Sequence, residues 1–182
     1  MLDTKSIYFY IIAISVLFSY ATNFGYSNLL EPFLFLKNNG SFYPSFENTY
    51  LISMEWWRLI TPTFLHFSFT HLIFNCLWIY ILGSKIEIID GKGIFITLFL
   101  ITGLSSNLGQ YFWTGNFLFG GLSGAVYGLL LAYGITYPNR LVYLYGIFPI
   151  KVKFMVIGMG IAAFFASVIA KIISIQKRSQ LI

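Results

Sequence analysis

Long apolar stretches without a single charge, set between small clusters of charged residues, constrain this chain more than any other feature. The run from Ile7 to Phe24 contains no Asp, Glu, Lys or Arg. Charged residues make up 9% of the chain and hydrophobic ones 58%, whereas a soluble domain carries about 25% charged residues. So few charges cannot cover a folded surface in water, which excludes a disordered chain, a fibrous repeat and an ordinary cytosolic enzyme. The chain reads as an integral membrane protein of one domain, residues 1–182, built from helices that each need about 20 apolar residues to cross a bilayer. The lone Cys76 excludes an internal disulfide and a cysteine-based zinc site. The net charge of +5 is too thinly spread for a nucleic-acid surface and reads as a set of topology signals.

Five spans are expected, at about residues 7–24, 70–82, 94–111, 123–137 and 154–173, which makes an all-α polytopic transmembrane bundle. The first run is long and lacks a small-x-small cleavage site, so it reads as a span rather than a signal peptide. Between spans one and two, residues 25–62 mix charges (Glu31, Lys37, Glu47, Glu55, Arg58) with aromatics such as Phe33, Phe35, Phe42, Tyr43, Phe46, Tyr50, Trp56 and Trp57. That mixture suits a segment in the membrane interface with a partly buried fold of its own. Lys85, Glu87, Asp90 and Lys92 are expected to form a short charged loop after span two. The apolar stretch Val142 to Ile150 is too short to cross, and Pro149 interrupts it. A cytoplasmic N-terminus, in the plasma (inner) membrane, places Lys5, Lys85, Lys92, Arg140, Lys151 and Lys153 inside, in agreement with the positive-inside rule. The basic tail with Lys171, Lys177 and Arg178 would then lie outside, against that rule.

Two polar clusters lie within the apolar runs. The first holds both histidines, His66 and His71, with Asn75. His71 and Asn75 are four residues apart and share one helix face. Polar groups in hydrocarbon need partners, so these residues are either functional or interhelical glue. Two histidines without a nearby carboxylate or thiol are too few for a metal site, and none is expected. The second cluster runs from Gly120 to Gly128 and places Ser123 at a helix start, where unpaired backbone N–H groups can hold an oxyanion. Gly124, Gly128 and Ala132 form a small-residue face for close helix approach, so packing alone also accounts for the pattern. Counting spans puts both clusters at a similar depth, near the outer face.

These residues resemble the rhomboid family of intramembrane serine proteases. The matching residues are Trp57-Arg58 in the first loop, His66, His71 and Asn75 on the second helix, Gly121-Leu122-Ser123-Gly124 with Tyr127 on the fourth, and Glu87 and Gly91 between them. The resemblance implies that Ser123 is the nucleophile, that its N–H with the His71 and Asn75 side chains holds the oxyanion, and that Tyr127 packs beneath the general base. It implies that Trp57 and Arg58 stabilise the interfacial loop, that no cofactor or metal takes part, and that the substrates are transmembrane segments cut near their outer ends. In the family the general base is a histidine on a sixth helix, and no histidine follows His71 here. A serine hydroxyl without a base is a poor nucleophile. The expectation is therefore a protease scaffold that is inactive or weakened as it stands, whether a truncated form or a pseudoprotease that binds membrane helices without cutting them. A small transporter finds no acidic residue within a span to carry ions.

Overall fold

A computed structural model describes residues 6–38, 44–144 and 147–179, without the side chains of residues 144, 166–167 and 170–179. Asp3, Lys5, Phe42 and Tyr43 fall outside the described residues, as do the side chains of Lys171, Lys177 and Arg178. The chain divides into two compact units, Met1–Leu129 and Leu130–Ile182.

The first unit is built on helices α1 (Ile7–Ala21), α2 (Phe69–Ile89), α3 (Lys92–Thr114) and the start of α4 (Ser123–Thr136). α1 packs on α2 and α2 on α3. The expected span 7–24 is shortened: α1 stops at Ala21 because Asn23 and Phe24 adopt positive φ and Gly25 follows at φ +95. α2 is lengthened. It starts where the Ser68 side chain accepts from the His71 N–H at 3.2 Å and runs to Ile89. Lys85 and Glu87 therefore lie in its last turns rather than in a loop, because no Gly or Pro breaks the helix before Asp90 and Gly91 at φ +91. α3 ends at Gly115, whose φ of +68 lets its N–H bond back to Tyr111 O at 2.7 Å.

Between α1 and α2 the chain folds as short 3-10 turns and one π turn around buried Phe35, Leu36 and Tyr50. The Tyr50 hydroxyl donates to Phe35 O at 2.6 Å, and burial pushes it above the ordinary phenol value. Buried Arg58 ties the segment together, donating to Glu55 Oε2 at 2.5 Å, Glu31 O at 2.6 Å, Leu34 O at 3.1 Å and Glu31 Oε1 at 3.1 Å. Lys37 pairs with the other Glu55 oxygen at 2.5 Å. Burial opposes ionisation of Glu55, but hydrogen bonds from Lys37 and Arg58 hold its carboxyl below the usual range. Trp57 donates its indole N–H to Pro32 O at 3.3 Å.

In the second unit the apolar stretch too short to cross contributes two paired strands. Strands β1 (Leu141–Leu144) and β2 (Phe148–Lys151) pair antiparallel with Leu141 opposite Lys151. α5 (Val152–Ser179) follows. By length and composition α2 and α3 are sufficient to cross a bilayer, while α1, α4 and the Val152–Phe165 part of α5 are apolar but shorter. The helical class is as expected; among the described residues two helices are long and apolar enough to cross a membrane.

Candidate active site at the start of α4

Backbone geometry sets the site. Gly121 takes φ +126, a conformation that side chains disfavour, and its N–H donates to Pro62 O at 3.0 Å. Leu122 O then accepts the first helical bond from Val126 at 2.8 Å, so Ser123 is the first residue inside α4. The N–H groups of Ser123, Gly124 and Ala125 have no carbonyl one turn earlier to bond, and they form a donor cluster at the positive end of the helix.

The same turn meets the polar face of α2. A methyl group built on Gly121 would lie 2.7 Å from His71 Cε1, 3.2 Å from His71 Nε2 and 3.4 Å from Asn75 Nδ2. Glycine is needed there twice, once for its φ and once because the imidazole and the amide occupy the space. The second polar cluster thus stands against the first, two residues from Ser123.

His66 organises this contact. It is 1% exposed. Asn75 Nδ2 lies 3.1 Å from its Nε2, and the Leu122 N–H donates to the same atom at 3.5 Å. On the other side of the ring, Nδ1 lies 3.2 Å from both Phe64 O and Ser19 Oγ. Ser19 Oγ already donates to Ser15 O at 2.7 Å, so both neighbours of Nδ1 are acceptors. These partners assign the neutral tautomer with the proton on Nδ1. Burial, and then the His71 ring 5.2 Å away, push His66 down to about 4, against the opposing pull of the Phe64 carbonyl.

Ser123 Oγ and the His71 imidazole have no hydrogen-bond partner among the described residues. Ser123 is half-buried beside an open cavity of about 210 Å³, which Ser106, Asn107 and Gln110 of α3 also line. Asn107 donates to Leu59 O at 2.8 Å and to Thr63 Oγ1 at 3.0 Å, anchoring that wall to the interfacial segment. Methyl groups on Gly124 and Gly128 would collide with Ser106 and Thr102 of α3, so the small face of α4 is already filled from within the first unit. Tyr127 lies one turn beyond Ser123 and is exposed. Glu87 and Gly91 sit at the far end of α2. Ser19, Ser106, Asn107 and Gln110 were not singled out from sequence. Their only signal was a few polar residues in otherwise apolar helices. No group of three or more His, Cys, Asp or Glu side chains able to hold a metal occurs among the described residues.

Chemically, this end of the bundle offers a hydroxyl and a helix N-terminus beside a cavity, with two side-chain donors packed against Gly121. A Rhomboid domain profile matches residues 53–176. The chain is 32% identical over 116 residues to Rhomboid protease GluP of Bacillus subtilis (63% of this chain, 22% of that protein). It is 40% identical over 91 residues to Putative rhomboid protease YdcA of Bacillus subtilis (48% and 46%). It is 42% identical over 77 residues to Rhomboid protease GlpG of Photorhabdus laumondii (42% and 27%). The chain spans less than half the length of each of these relatives. The domain match, covering most of the chain, places it among the rhomboids: it belongs to that family, as an integral membrane protein with the scaffold of an intramembrane protease.

Proposed function

We propose that this scaffold carries the nucleophile and oxyanion half of a serine endopeptidase site acting on transmembrane segments. Ser123 Oγ attacks the peptide carbonyl. The charge that develops on the carbonyl oxygen is held by the Ser123 N–H together with the His71 and Asn75 side chains. Such preorganised donors typically contribute about 100- to 1,000-fold each to the rate. Asn75 is aimed by its bond to His66, and Gly121 leaves the room between Ser123 and α2. The polar cavity at Ser106 and Gln110 can hold the water that an acyl-enzyme needs for hydrolysis. Trp57 and Arg58 keep the interfacial segment in place, and Tyr127 supports the surface on which a base would rest. The bundle carries five membrane segments, with the N-terminus cytoplasmic, in the plasma membrane. That puts the site near the outer face, where a substrate helix frays easily.

The observation that carries this reading is the contact of Gly121 with His71 and Asn75, two residues from a hydroxyl with no partner among the described residues. The base is the missing half. Histidine occurs only at 66 and 71 in these 182 residues. Both nitrogens of His66 are engaged, and no hydrogen bond joins Ser123 to either ring among the described residues. Activity of these 182 residues alone is accordingly absent or weak. Labelling by a serine-reactive fluorophosphonate in detergent should stay at the level of Ser123→Ala, and strong labelling that Ser123→Ala abolishes would overturn the inactivity. A second reading, a non-catalytic binder of membrane helices, draws on Ser123 having no hydrogen-bonded base among the described residues. It predicts that client capture survives Ser123→Ala. Bulky residues at Gly124 or Gly128 do not test it, because they would collide with α3 first.

A further inference from the structure

At the opposite end of α2, sixteen residues and about 24 Å from His71, a second site has a different chemistry. Glu87 is buried, 9% exposed. Its Oε1 accepts the Tyr8 N–H at 2.8 Å in the first turn of α1. Its Oε2 is buried and has no hydrogen-bond partner among the described residues. A buried carboxylate oxygen is costly to leave unmet. Beside it lies a cavity of about 420 Å³, lined by Ser6, Tyr80, Ser84, Glu87 and Lys92, within the range of small-molecule sites, about 300–1,000 Å³. Gly83 makes this approach of α1 and α2 possible, since a methyl group there would lie 2.6 Å from Tyr8 Cβ.

The cavity pairs an acceptor for a cationic donor with groups that suit an anion. Glu87 Oε2 needs an N–H or O–H donor, whereas Lys92, the hydroxyls and the α1 N-terminus favour negative charge. Ile88, 84% exposed, and the exposed Tyr80 border it with apolar surface. In a protein whose α2 is long enough to cross the bilayer, a cavity at the end of that helix lies at headgroup level. We propose that it binds the phosphoethanolamine group of a membrane phospholipid, with the ammonium donating to Glu87 Oε2 and the phosphate facing Lys92 and Ser84. A choline headgroup carries no N–H and cannot meet Oε2, and a glycerol headgroup lacks the cation. The site is independent of the chemistry at Ser123.

The test is native mass spectrometry of the full chain released from nanodiscs with equal phosphatidylethanolamine, phosphatidylcholine and phosphatidylglycerol. Retained phosphatidylethanolamine should exceed phosphatidylcholine by about tenfold, as for one charge-assisted hydrogen bond. Glu87→Gln should abolish the preference. Ser84→Leu, which fills the cavity but leaves the Tyr8–Glu87 bond intact, should do the same at unchanged melting temperature. It carries the test alone if Glu87→Gln does not accumulate. Equal retention of the lipids, or a preference that survives Ser84→Leu, overturns the proposal. Soluble O-phosphoethanolamine binding as tightly as the lipid, with the same dependence on Ser84, would overturn the lipid as the source.

Discussion

Arg58 and Ser123 occupy opposite extremes within the first unit. Arg58 is buried and makes four hydrogen bonds, to two carboxylates and two carbonyls. Ser123, the neighbouring His71 ring and one oxygen of Glu87 have no hydrogen bond among the described residues. A fold can satisfy buried polar groups when it needs them for itself, as it does for Arg58, His66 and Asn107. Groups left unmet beside a cavity are where a ligand or a reaction intermediate fits. The contrast separates scaffold from site without reference to any relative.

The largest effect that sharpens it is on the scaffold side. Arg58→Ala leaves Glu55 with Lys37 alone and strands the Leu34 carbonyl, while Glu31 O keeps the Leu34 N–H. It should destabilise the fold by about 3–5 kcal/mol, or prevent accumulation, as measured by unfolding in detergent. A loss no larger than that of a surface substitution would break the comparison.

His66 comes next, through pH. It is held near 4 in the fold, whereas an unfolded histidine titrates at about 6.5. Between those values the unfolded chain binds more protons, so stability is complete above about pH 6.5 and falls as the pH drops toward 4. The expected loss is on the order of 2 kcal/mol between about pH 7 and about pH 4.5. His66→Gln should be less stable at neutral pH and lack that slope. The same slope in the variant would assign it to other groups.

A smaller effect belongs to the seam between the two clusters. Gly121→Ala forces a side chain to φ +126 and against His71, at about 1–3 kcal/mol. The smallest belongs to Ser123→Ala, which removes a hydroxyl with no partner among the described residues and should shift stability by less than about 0.5 kcal/mol.

Much of the candidate site was legible because its signals are local. The i, i+4 spacing of His71 and Asn75, and glycines around a serine at a helix start, can be read over a few residues. What was not legible depends on distant partners. The role of His66 as a junction needs Ser19, 47 residues earlier. The filling of Gly124 and Gly128 needs Ser106 and Thr102 on another helix. Lys85 and Glu87 read as loop residues by their charge, yet nothing before Gly91 breaks the backbone and Glu87 finds Tyr8 on α1. A short apolar run such as Val142 to Ile150 does not declare strand or irregular chain, because its pairing is set by what lies opposite it.

The most direct test of the central claim needs no catalytic base. Ser123→Cys in a Cys76→Ser background puts a thiol at the position where the proposed oxyanion donors would act. At neutral pH its alkylation by iodoacetamide should slow by about tenfold when His71→Ala is added, because the anion loses a donor. At alkaline pH, with both thiols ionised, the two rates should meet. Equal rates at neutral pH would show that the α2 side chains do not act on position 123, and would contradict the account.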